Sequence, residues 1–431
     1  MKAGFARVRI TPPVGTHMLG FGDRDRAHGC EGVHDELFVR ALCLEQGRDE
    51  ALILGYDLCF LGRADADRHR GAIGRRVDLA PSRILLNTSH LHCGPAVGTW
   101  AYADYRPPDT LYLGELEAAA VEAACRARDS MREVMLWAGQ GRTALPMSRR
   151  RPEADGTIAF APYPGGVVDR SLPVFLLRDG SGGAVCLLFS VACHPSTVGG
   201  FEISAEYPGV AMRELDKCLG APASLFLQGA GGDAKACVIG DGQEWRRGNW
   251  ADIEDAGCMV AREVMGVIED GLTPVEPGLG AHVVEMRWPL EEPMGRDALK
   301  AVADRPDADP LRRLWAERQL ARLNRGESLP RSVAITAHGM QLGRGVRMLG
   351  LEGELVAGLG LLIRSVYASG VTFALGYTDG AQLYLPTEAM LEEGGYEVDS
   401  YYEYGFPARL ARGLEGVLRS ALDEMCAHGI L

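Results

Sequence analysis

The chain lacks most of the features that usually assign a function at sight. Its 431 residues include only ten histidines, and its eleven cysteines, an odd number, contain no C-x-x-C pair. Several of those cysteines lie in apolar runs, such as Cys59 in "LGYDLCFL" and Cys186 in "AVCLLFSVAC". That distribution argues against a disulfide framework and for buried free thiols in a reducing compartment. A basic excess is missing too. Lys and Arg number 45 against 58 Asp and Glu, giving a formal charge of −13. Nucleic acid phosphates would find no neutralising surface, so nucleic acid is excluded as a partner. No apolar run approaches the length of about 20 residues that crosses a membrane. The opening "MKAGFARVRITPPVG" has no apolar signal core. The expectation is therefore a cytoplasmic protein without stable membrane insertion. No repeat of fixed period is present.

What the chain does have is ordinary globular material, 47% hydrophobic and 24% charged, enough for a large core. "FARVRIT" alternates like a half-buried strand, whereas "ALILGYDLCFL" is nearly all apolar and reads as a strand covered on both faces. "GELEAAAVEAACRARDSMREV" and "ADIEDAGCMVAREVMGVIED" read as helices. Strands and helices do not alternate strictly, so the predicted class is α/β (mixed α+β), with mixed β-sheets flanked by helices. We expect one domain over residues 1–431. A charged, proline-punctuated helical insertion near residues 293–328 has too few apolar residues for a core of its own.

The chemistry concentrates where apolar runs break. "RILLNTSHLHCGP" ends an apolar run in His90 and His92. If the strand persists through His92, both imidazoles share one face and both can meet a metal. Two hydrogen-bonded histidines at a strand end are the plain alternative. "AVCLLFSVACHPST" gives His194 the same setting, an apolar strand opening into a proline loop. "RMLGLEGEL" supplies Glu352 and Glu354 just past another strand, although a first-turn helix glutamate would look the same. Cys93 and Cys193 adjoin these histidines, which leaves a nucleophilic cysteine open. "SLFLQGAGGDAKA" mimics a dinucleotide-binding glycine loop. The polar, broken segment after it lacks the required helix, so that reading is rejected. In "SRRRP", Arg149 is a candidate for an anionic substrate group, with a solvated turn as the alternative.

Taken in order, "AGFARVRITPPVG", "GVHDELFVRALCLEQG", "NTSHLHCGP", "ACHPST", "ISAEYPG", "GGD", "GE" and "YLPTEAMLEEGGY" resemble the successive motifs of the neutral/alkaline non-lysosomal ceramidase family over nearly the whole chain. Longer members end in an immunoglobulin-like domain for which this chain has no room, so only the catalytic domain is expected. The resemblance implies an α/β zinc amidase. It implies that Zn2+ is held by His90, His194, Glu354 and Tyr384, with His92 at the active site as a proton shuttle and Tyr396 facing the developing oxyanion. One departure stands out. "GGDAKAC" places Lys235 where ceramidases carry a serine proposed as nucleophile, which favours zinc-activated water here. Lys235 then pairs with Asp233 or contacts a substrate carboxylate, unless it is a solvated loop lysine. Lys235, Asp233 and Arg149 are the substrate-binding candidates. The expectation is a zinc-dependent hydrolase that cleaves the carboxamide (N-acyl) bond of a small polar substrate. Ester or lactone hydrolysis at the same site, or a non-catalytic metal-binding homologue, are the alternatives, and self-association into a homo-oligomer is left open.

Overall fold

The computed structural model describes residues 1–25, 27–98, 108–367 and 369–431. Among them, the largest sheet runs in the order Ser224–Gln228, Ala184–Val191, Ser171–Asp179, Arg132–Arg142, Lys2–Arg9, Phe38–Gln46, Asp49–Tyr56 and Ile84–Thr88, with Thr273–Val275 paired to Arg132–Arg142. A second sheet has the order Gly280–Pro289, Ser332–Gly343, Val346–Leu351 and Val371–Leu375. Both are mixed, as expected. Ile84–Thr88 and Ser224–Gln228 each pair parallel to their neighbour, and most other pairs are antiparallel.

The two sheets pack face to face. Leu42, Leu85, Phe175, Leu188 and Leu225 of the first meet Met340, Met348 and Phe373 of the second in one core cluster. Strands covered on both faces read as continuous apolar runs, which is why "AVCLLFSV" is buried at every position. Full burial of each such large side chain contributes on the order of 1.5–3 kcal/mol. Helices close the outer faces. Arg63–Val77 and Thr110–Asp129 cover one half of the large sheet through Ile73, Val77, Leu116 and an alanine stripe. Glu206–Leu219 and Trp250–Glu269 cover the other half, and Ala357–Val366 and Leu414–Ala427 cover the small sheet. Local chemistry starts these helices where they start. Asp109 accepts hydrogen bonds from the Leu111 and Tyr112 amides, and Asn249 with Asp252 forms a reciprocal capping box.

The ends of the large sheet return to each other, with the Gln228 amide donating to Asn87 Oδ1 at 2.8 Å. Strands Ile84–Thr88, Ala184–Val191, Ser224–Gln228, Val346–Leu351 and Val371–Leu375 thus bring their C-terminal ends to one region. Asp379 ties the sheets together there. It accepts from the Leu86 amide at 3.0 Å and pairs with His338 at 2.6 Å and Arg70 at 2.8 Å. No helix among the described residues is long and apolar enough to cross a membrane. The charged insertion forms helices Arg296–Ala303 and Pro310–Asn324, joined by a small cluster of Leu299, Trp315 and Ala316. It is more than surface decoration, because Trp315 Nε1 donates to the Phe406 carbonyl at 2.8 Å and Leu311 lines the cavity described next.

Candidate metal centre

His90, His194 and Glu354 come together at those strand ends, with ligand atoms all within 4.8 Å of one another and all three side chains buried. Glu354 Oε2 lies 3.2 Å from His90 Nε2 and 3.5 Å from His194 Nε2. The opposite nitrogen of each ring is fixed by the main chain. His90 Nδ1 is 2.9 Å from the Cys59 carbonyl, and His194 Nδ1 is 2.7 Å from the Gly231 carbonyl. Such outer contacts set the ring orientation and direct Nε2 toward a metal. Burial opposes charge on His90, yet the Glu354 carboxylate overrides it and lifts the imidazole to about 10. Burial, then Arg149 and His90, push His194 down to about 3. Glu354 stays ionised despite burial because His90 holds it well below the usual range. A carboxylate facing two imidazole nitrogens in a dry site fits a divalent cation, which takes the place of the shared proton.

The geometry differs from the strand-face expectation. The strand ends at Thr88, and His90 has a left-handed φ of 61°. A non-glycine residue there is uncommon, so His90 and His92 do not converge by strand alternation. Their Nε2 atoms are nevertheless 3.2 Å apart, and His92 Nδ1 is buried without a partner among the described residues. Burial, reinforced by His90 and His194, keeps His92 well below its ordinary value. Tyr384 reaches the group through its hydroxyl, 3.4 Å from His194 Nε2, where it accepts from Arg149 at 3.0 Å. It sits beside Glu354 because Glu354–Leu355 and Tyr384–Leu385 pair as short parallel strands. Glu354 is therefore a strand residue and not a first-turn helix residue. Tyr396 stands at the cavity mouth, its hydroxyl donating to Glu403 at 3.0 Å.

Two of the substrate-binding candidates, Arg149 and Asp233, are engaged within the protein. Arg149 and Arg150 lie on the buried strand Pro146–Pro152, neither in a turn nor open to an anion. Arg149 pairs with Glu397 at 2.7 Å and also contacts Tyr384 and His194, so it positions the tyrosine. Asp233 gives Oδ1 to the Ala357 amide at 2.7 Å, at the start of helix Ala357–Val366. It is a buried anchor, pushed up to about 7 chiefly by burial, and makes no pair with Lys235. Lys235 is half-buried between Trp245 and Phe160, 5.4 and 5.8 Å from the ring centroids, and burial lowers it to about 8. The glycine loop has a packing role. A Cβ on Gly231 would come 2.4 Å from the Cys193 amide nitrogen, and one on Gly232 would come 2.8 Å from the Glu354 carbonyl. Cys93 donates to the Val198 carbonyl at 3.1 Å, and burial raises its thiol.

Sequence reasoning missed two tyrosines. Tyr377 donates to Glu354 Oε2 at 3.1 Å and stacks on His90 with centroids 4.0 Å apart, and the Tyr404 hydroxyl bonds to Glu354 Oε1. The only local signal was the tyrosine density of "SYYEYG", which marks Tyr404; the lone tyrosine of "GYTDG" gave none for Tyr377. The cavity measures about 130 Å³, walled by Leu19, Phe21, Phe60 and Leu311 and floored by His90, His92, Glu354, Tyr384 and Tyr404.

No family model and no curated protein matches the chain. Solved structures do. The neutral ceramidase from Pseudomonas aeruginosa gives a TM-score of 0.75 at 15% identity, covering 98% of this chain and 73% of that one. A ceramidase complexed with C2 gives 0.72 at 15% identity, covering 94% and 73%. At this identity the likeness speaks for architecture alone, and the chain has the fold of neutral ceramidase.

Proposed function

We propose that the protein is a zinc-dependent hydrolase that cleaves the carboxamide bond of a small N-acyl substrate. The observation that carries this reading is the buried His90–His194–Glu354 group, within 4.8 Å, at the floor of a cavity with apolar walls. That the solved neighbours are ceramidases supports the amide as the bond. Tyr384 completes the proposed ligand set, with Arg149 holding its hydroxyl in place. Zinc in such a set supplies Lewis acidity, which makes water nucleophilic near neutral pH.

The chain's own residues supply the rest. His92 has one nitrogen turned to the metal group and the other unpartnered, so it can take the proton from the attacking water and return it to the leaving amine. Tyr396, by turning its O–H from Glu403 toward the substrate, provides a donor at the cavity mouth for the charge that develops on the amide oxygen. Leu19, Phe21 and Phe60 exclude bulk water and receive the acyl chain.

A hydrolysis panel of N-acyl amines, N-acyl amino acids, short-chain ceramides and lactones tests the assignment. We expect amide turnover that chelation abolishes and zinc restores. Turnover confined to lactones would move the assignment to an esterase, and no turnover of any amide would sink it.

A further inference from the structure

We infer that a second cavity beside the metal group is a carboxylate-binding compartment centred on the ammonium of Lys235, and that the substrate is an N-acyl amino acid or a similar amide whose leaving amine carries an anion. The bond broken is taken from the amidase reading above; the binding compartment is argued independently of it.

The second cavity measures about 420 Å³ and includes Lys235, Trp245, Ser196 and Thr197 in its lining. Lys235 lies on the short strand Ala234–Ala236, its backbone bridged to His194 on one side and paired with Met147 on the other. That placement fixes the side chain next to the metal group. Its ammonium has aromatic faces for neighbours, Trp245 and Phe160, and makes no ion pair or hydrogen bond with any described residue. The nearby cations differ. Arg149 and Arg150 share Glu397, Arg246 is paired with Asp252, and Arg247 with Asp23. A half-buried cation cushioned only by rings keeps its affinity for an anion.

A second unused group lines the same space. The Thr197 hydroxyl oxygen is buried in the cavity wall and has no partner among the described residues. A carboxylate has two oxygens; the ammonium takes one, and the Thr197 hydroxyl reaches the other by turning out of the wall. The acids around Lys235 do not pair with it: Glu206, whose charge acts on it from behind the wall, is held by the Thr197 and Val198 amides. Asp23 is engaged by Arg247, and Asp25 is exposed at the rim, accepting from the Ala27 amide.

The two cavities share Phe21, whose ring packs on His92 with centroids 5.0 Å apart. The side of Phe21 that holds the metal group has Leu19 and Phe60 as apolar walls; the side that holds Lys235 is lined by charged and hydroxyl side chains. An amide bridging the boundary places its acyl chain against Leu19 and Phe60 and its charged amine side against Lys235.

The test uses a ligand that cannot be hydrolysed: the ketomethylene isostere of N-hexanoylglycine, with a methylene in place of the amide NH, together with its neutral primary carboxamide. Calorimetry on the zinc-loaded protein should give about tenfold or tighter binding for the acid. Lys235→Met, which keeps the stem and loses the charge, should bring the ratio to about one, and Lys235→Arg should retain a preference for the acid. Equal binding of both ligands by the wild type, or an undiminished preference in Lys235→Met, would overturn the inference. Hydrolysis of N-hexanoylglycine, followed in parallel, separates the two claims. Selective binding without turnover would count against the amidase reading and leave the compartment standing. Amide turnover with no preference for the acid would do the reverse.

Discussion

At the scale of single residues, the site depends on a few positions held in unusual conformations. His90 sits at φ 61° and Tyr377, stacked on it, at φ 50°. Strained backbone of this kind persists where the surroundings over-determine it. Gly20 is the neighbouring example, with φ +113° and a Cβ position only 2.6 Å from His92 Cα. Gly20→Ala should push His92 off its position without touching the metal ligands. We predict a fall in kcat of about tenfold to a hundredfold with full zinc retention, read by turnover and metal analysis of the same preparation. Unchanged kcat would remove His92 from the proposed chemistry. Much of this scale was legible in sequence, because histidines and a glutamate at the ends of apolar strands are conspicuous. Tyr377, Tyr404 and Glu397 were not. Their roles come from side chains meeting across long separations in the chain, and no local period encodes that.

At the scale of elements, the charged insertion is the least expected contributor. Its composition promised a helical insertion without a core of its own. The structure instead uses Trp315, fully buried, to anchor the segment that carries Glu403 and Tyr404 into the cavity, through the Phe406 carbonyl at 2.8 Å, with Gln319 donating to the Gly405 carbonyl at 3.2 Å. Trp315→Ala should cost about 3–5 kcal/mol of stability. A thermal melt would show the loss, and kcat/KM should fall further than that of a surface variant such as Lys300→Ala on the same insertion. A melt within a degree of wild type would mean the anchor is dispensable. The "SRRRP" segment teaches the complementary lesson. Three consecutive arginines suggested a site for a substrate anion or a solvated turn, but Glu397, far along the chain, gives Arg149 and Arg150 a shared buried partner.

At the scale of the whole molecule, two packed sheets with helices outside deliver five strand ends to one place. The class was readable from apolar runs and helical periods, whereas the return of the large sheet on itself depends on contacts such as Asn87 with Gln228. Stability of the assembly should depend on pH through His69, which burial holds at about 4, below its ordinary 6.5. Between those values the unfolded chain takes up a proton that the folded protein refuses. The His69 contribution is therefore constant above about pH 6.5, and lowers stability by about 3 kcal/mol as pH drops to about 4. Denaturant titrations at neutral and acid pH should show that decrease in the wild type and a smaller one in His69→Leu. An identical decrease in both would assign the acid sensitivity elsewhere.

The central claim is that His90, His194 and Glu354 hold a metal ion. Elemental analysis of protein produced with zinc supplied tests it most directly, on the wild type and on His90→Ala and His194→Ala. The account predicts one zinc per chain in the wild type and loss of it in each variant. Substoichiometric zinc in the wild type, or full zinc in both variants, would contradict it.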